Sequence, residues 1–127
     1  MSKLLKSTKE NPHMNLCFSF SKYHILVYDH DEITQPHFHV VDIKTYGKHF
    51  HCRILINKPK YYKGETTKLS KQDINMMCFM FNCSYFDKST MDNPQNLWDL
   101  IINTWNYKNK QKVKLNKEKP DYMFGLK

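Results

Sequence analysis

Glycine is scarce in this chain, with three residues in 127. A loop that cradles phosphate with successive backbone N–H groups needs several glycines, so phosphate-loop chemistry is excluded. The nucleophile-elbow and zinc-protease helix motifs are absent as well. Arginine is almost missing: of twenty basic residues Arg53 alone is arginine, and the rest are lysine. Recognition that depends on many bidentate guanidinium forks is therefore ruled out. No two of the four cysteines form a C-x-x-C pair, which removes zinc-ribbon and thioredoxin-type sites. Long apolar runs are lacking and so is a secretory core near the N-terminus, so a soluble, cytoplasmic protein with no membrane contact is expected. There are no internal repeats.

What remains is a chain of one-domain size, long enough to bury a real core. Aromatics make up 14% of it, which favours folding over disorder. Cys17, Cys52, Cys78 and Cys83 all lie in apolar runs, as reduced and buried thiols do. The net charge is +8, a balance that suits nucleic acid or an acidic protein partner. Lysine alongside abundant asparagine and isoleucine is also what an AT-rich genome produces, so the charge has a purely compositional explanation too.

Read in order, residues 1–13 form a polar, lysine-rich lead-in, residues 14–110 a single domain, and residues 111–127 a basic tail. Asn15–Ser21 alternates and predicts a half-buried strand; His24–Tyr28 predicts a second, central one. A polar loop, Asp29–Gln35, follows. Pro36 then starts a strand running to about Thr45. Tyr46-Gly47-Lys48 is the expected turn, with Gly47 at positive φ, and His49–Asn57 the return strand. Lys58–Lys68 reads as a polar connection. Ser70 with Asp73 resembles a capping box at the head of a helix whose stripe is Ile74, Met77, Cys78, Phe81 and Tyr85. Met76, Phe79 and Met80 widen that stripe and predict a largely buried helix. A second helix is expected from Pro94, capped by Asn93, to about Lys110, burying Leu97, Trp98, Ile101, Ile102 and Trp105. The result is an α+β fold. An antiparallel sheet of about four strands carries two helices on one face, and Phe38, Val40, Ile54 and Ile56 meet Ile74, Phe81, Trp98 and Trp105.

Chemistry concentrates at QPHFHVVD, residues 35–42. Alternation along a strand sends His37 and His39 to one side together. Such a pair supplies two ligands to a divalent metal, and Asp31 from the preceding loop is the candidate to complete the set or to orient a ring. The simpler reading is structural, with neutral imidazoles bonded to the loop. A turn centred on Gly47 would place His51 opposite Ile43. His37 would then lie roughly 20 Å from the turn-end histidines, so His49 and His51 are set apart from the site. In the tail, six lysines between Lys108 and Lys119 face one acid, Glu118. Lys108, Lys110, Lys112, Lys114 and Lys117, with Arg53, are the candidate contacts to nucleic acid or a partner, and Tyr107 or Tyr122 the candidate stacking platforms.

ILVYDHDEITQPHFHVV resembles the signature of a small bacterial family described as domain of unknown function 4160. The matching residues are Pro36, His37, Phe38, His39 and Val40, with Asp31 and Glu32 before them and Trp105 near the end of the last helix. The order of elements agrees over about residues 15–107. Thr34 and Gln35 stand where the family carries proline or glutamate, and the lysine-rich tail is extra. The resemblance implies one half of a toxin–antitoxin-like pair, or a phage-element protein, with no settled chemistry. The functions in competition are a non-enzymatic binding module, a metal-dependent or His-based nuclease, and a structural or inhibitory protein of a phage-like element.

Overall fold

A computed structural model describes residues 15–29, 35–57, 59–85 and 95–110. Four strands come first: β1 (Leu16–Phe20), β2 (Tyr23–Leu26), β3 (His37–Asp42) and β4 (His51–Leu55). They form one antiparallel sheet in sequence order. Helix α1 (Lys71–Phe81) follows, then a short pair of strands, β5 (Ser84–Tyr85) and β6 (Gln95–Asn96), and helix α2 (Leu97–Asn109). The α+β architecture expected from the periodicities is the one observed, with the small β5–β6 pair added.

One core joins sheet and helices. Phe38, Val40, Ile54 and Ile56 lie in a single buried cluster with Ile74, Phe81, Trp98 and Trp105. Phe38 stands edge-on to Phe81 at 5.9 Å and to Trp98 at 6.1 Å, and the last two rings are 4.9 Å apart. Edge-to-face contacts of this kind add to the burial of large rings. Alternation explains the rest: Phe38 and Val40 of β3 and Cys52 and Ile54 of β4 enter this cluster, and the odd-numbered positions between them do not.

Several expectations shift. Helix α1 is capped by Ser70, whose hydroxyl accepts from Asp73 N. The Asp73 carboxylate is taken by the Tyr23 hydroxyl at 2.8 Å, which ties the head of α1 to the sheet. Helix α1 stops at Phe81, so Tyr85 is on β5 and not on the helical stripe. Met76 and Phe79 are exposed, at 46% and 66%, because a surface helix buries one side only. The cap of α2 is Asn96, bonded to Asp99 N at 2.8 Å, three residues later than the Asn93 expected; Asn93 and Pro94 lie outside the described residues.

The connection after β4 doubles back along it. Ile54 bridges Tyr61, Leu55 N donates to Lys60 O, and Tyr62 N donates to Arg53 O. The outer edge of β4 is thereby covered, which blunts edge-to-edge association.

Candidate functional site

Pro36 starts β3 as expected, and the strand then turns His37 and His39 the same way. Their ring centroids are 4.9 Å apart. Neither ring is on an open edge: β3 is an inner strand, His37 is fully buried and His39 is 6% exposed. His37 Nδ1 lies 2.8 Å from the Gln35 carbonyl. A carbonyl only accepts, so this nitrogen carries the proton. Trp105 lies against the other side of the imidazole, at 5.2 Å. Tyr28 meets His39 edge-on at 4.5 Å.

His51 joins this group, against expectation. His39 Nδ1 and His51 Nε2 are 2.8 Å apart. The register explains it. His51 pairs with Val41 and Arg53 with His39, two positions from the pairing that a turn centred on Gly47 would give. Tyr46 also takes a left-handed conformation, φ 55°, beside Gly47 at φ 100°, so the turn is centred a residue earlier. The diagonal neighbour of His39 across the ladder is then His51. No signal short of the turn's own backbone shows this.

Two imidazoles sharing one hydrogen bond must have one donor and one acceptor, so the pair excludes double protonation in this geometry. His51 is exposed and His39 is buried, so the shared hydrogen bond joins a surface ring to one inside the sheet. Among the described residues no group of three or more His, Cys, Asp or Glu side chains is placed to hold an ion. Asp31, the proposed third ligand, lies outside the described residues. His24 bonds Ser19 Oγ and lies against Tyr46 at 5.0 Å, away from His37.

Two of the cysteines are the reverse of activated nucleophiles. None of the four is in a disulfide. Burial raises Cys52 to about 12 and Cys17 to about 11, the opposite of what thiolate chemistry needs.

The basic candidates divide. Arg53 donates from its backbone N and from Nε to Glu65, at 2.8 and 2.9 Å, and its guanidinium lies over the Tyr62 ring. Lys108 points inward: Nζ donates to Asn15 Oδ1 and Val27 O and lies 3.6 Å from Asp29, with 14% of the side chain exposed. Both cations are engaged within the fold. Lys110 is exposed and left-handed at the end of α2, with its ammonium 5.5 Å from the ring of Tyr107, itself 79% exposed. Lys112, Lys114 and Lys117 lie outside the described residues.

A second basic region was not anticipated. The β1–β2 and β3–β4 turns lie at the same end of the sheet, where Ile43 N donates to Lys22 O at 2.9 Å. Lys22, Lys44, Lys48 and His49 are all exposed there. None of the three lysines has a carboxylate partner among the described residues. The one acid in the β3–β4 turn, Asp42, is committed to the backbone. It accepts from Thr45 N at 2.7 Å, Gly47 N at 2.9 Å and Phe50 N at 3.2 Å, and from the Thr45 hydroxyl.

No family model, curated protein or solved structure matches this chain. Among the described residues no helix is long and apolar enough to cross a membrane.

Proposed function

We propose that this protein is a small non-catalytic binding module that docks nucleic acid through the turn end of its sheet. The observation that carries this reading is the cluster of exposed lysines, Lys22, Lys44 and Lys48, without a carboxylate partner among the described residues. Exposed ammonium groups not neutralised by a carboxylate among the described residues attract a polyanion and release its counterions on contact. The excess of +8 over the whole chain adds long-range attraction of the same sign. Lysine acts as a point charge, so this surface suits contact with phosphates more than reading of base edges.

Salt titration is the test. Binding of a short oligouridylate is expected to weaken steeply as salt rises. Replacing Lys22, Lys44 and Lys48 with glutamine should reduce the slope of log affinity against log salt by about 2, at roughly 0.7 per phosphate contact on a single strand. A parallel replacement of Lys112, Lys114 and Lys117 measures what the tail adds. Wild-type protein that shows no salt-dependent affinity, or a slope that the first triple variant leaves unchanged, would overturn this reading.

A further inference from the structure

We propose that the cleft between the two turns seats one unpaired nucleobase, with its phosphate held by the lysines at the rim. This inference rests on the nucleic-acid reading above and goes further, from charge to a ligand of definite shape.

The cleft has a volume of about 740 Å³. That lies within the roughly 300–1,000 Å³ of small-ligand sites and exceeds one base with its sugar. Its floor is aromatic. The Tyr23 and Phe50 rings are 4.9 Å apart. Tyr23 is 4% exposed, its hydroxyl is bonded to Asp73 and the Lys22 ammonium lies 5.8 Å from its ring, so it backs Phe50 and leaves the stacking to that ring. Phe50 is half-buried and packed against the core, so part of its ring remains accessible. Ile43, 40% exposed, forms an apolar wall. Lys22 and Lys44 stand at the rim with His49.

Asp42 also lines the cleft, and its role there is to hold the floor. Its carboxylate accepts the Phe50 N–H and anchors the turn that carries Lys44 and His49. The negative charge is therefore met by three backbone donors and a hydroxyl rather than presented to a ligand.

The chemistry of the lining selects the ligand. Cations alone would suit any polyanion, an acidic peptide included. A carboxylate side chain, however, has no flat apolar face to fill an aromatic-floored cleft. A nucleotide has both parts: a ring that stacks and a phosphate that pairs with ammonium. The base must be unstacked to enter, so single strands are favoured over duplexes.

The experiment uses the full chain at fixed salt with four probes: oligouridylate, the same strand with abasic sites, a duplex of equal length, and polyglutamate. The intact strand is expected to bind about fivefold or more tighter than the abasic strand, the size of one base–aromatic stacking contact. Phe50→Leu, which keeps the apolar packing, should erase that difference while leaving the salt slope in place. A thermal melt verifies that the variant is folded, and the abasic comparison needs no variant at all. Abasic and intact strands binding alike, with a steep salt slope retained, would remove the base seat and leave the charge reading standing. Polyglutamate or duplex binding as tightly as the intact strand would also remove it. Loss of all salt-dependent binding would remove both readings together.

Discussion

Asp42 is the residue on which the turn end depends. The Thr45 hydroxyl holds its carboxyl well below the usual carboxylate range; partial desolvation works the other way, and the N–H groups of Thr45, Gly47 and Phe50 reinforce the lowering. A carboxyl depressed in the folded state stabilises the fold above its unfolded pKa of about 4 and ceases to do so as pH falls towards the folded value. Asp42→Asn is therefore expected to lower the urea midpoint at neutral pH, and the gap to wild type should narrow from about pH 4 downward. A gap that stays constant to strongly acid pH would contradict this role for the charge. His37 and His39 were legible as a same-side pair because alternation is a property of any strand. His51 was not, since its place beside His39 follows from the left-handed φ of Tyr46, a conformation that sequence does not mark in a tyrosine. Lys108 was read from its charged neighbourhood as a surface contact, yet its ammonium is drawn in by the Val27 carbonyl and the Asn15 amide oxygen, partners eighty or more positions away.

Helix boundaries show how much of an element is local. Ser70 was identified from the spacing to Asp73, and it does cap α1. Asn96 caps α2, although Asn93 before Pro94 was the stronger local pattern. The β5–β6 pair, with Leu97 N donating to Cys83 O, occupies the start of the expected helix and moves its beginning downstream. Ser70→Ala and Asn96→Ala should each cost about 1 kcal/mol of unfolding free energy, measured by chemical denaturation. No loss on replacing Asn96 would mean that α2 is held by its packing and not by its cap. The exposure of Met76 and Phe79 has a simple origin: the buried positions Ile74, Met77, Cys78 and Phe81 already complete one stripe, and these two lie off it.

Over the whole molecule, sheet and helices share one core, and Phe38 is where they meet. Its ring contacts Phe81 of α1 and Trp98 of α2 from an inner strand. Phe38→Ala should cost about 3–5 kcal/mol, the range for emptying a buried aromatic site. Far-ultraviolet and tryptophan signals are expected to shift together in that variant, because Trp98 and Trp105 belong to the same cluster as the sheet. Separate transitions would show that the helices and the sheet unfold as independent units. Charge is also arranged globally. Lys22, Lys44 and Lys48 gather at one end only because antiparallel order brings the β1–β2 and β3–β4 turns side by side.

Composition and periodicity were enough for the class of fold, the order of the four-stranded sheet and two helices, and the residues where sheet and helices meet, since side-chain alternation and helical spacing are written every two to four positions; Tyr61, a core residue in what reads as a polar connection, was not among them. They also carried the shared direction of His37 and His39. The folded chain alone settled which side chains meet across distance: His51 on His39, Glu65 on Arg53, Asn15 on Lys108, and the aromatic cleft beneath the turn lysines. Those encounters depend on strand register and turn conformation, where a shift of two residues changes every partner while leaving the pattern of buried and exposed positions the same.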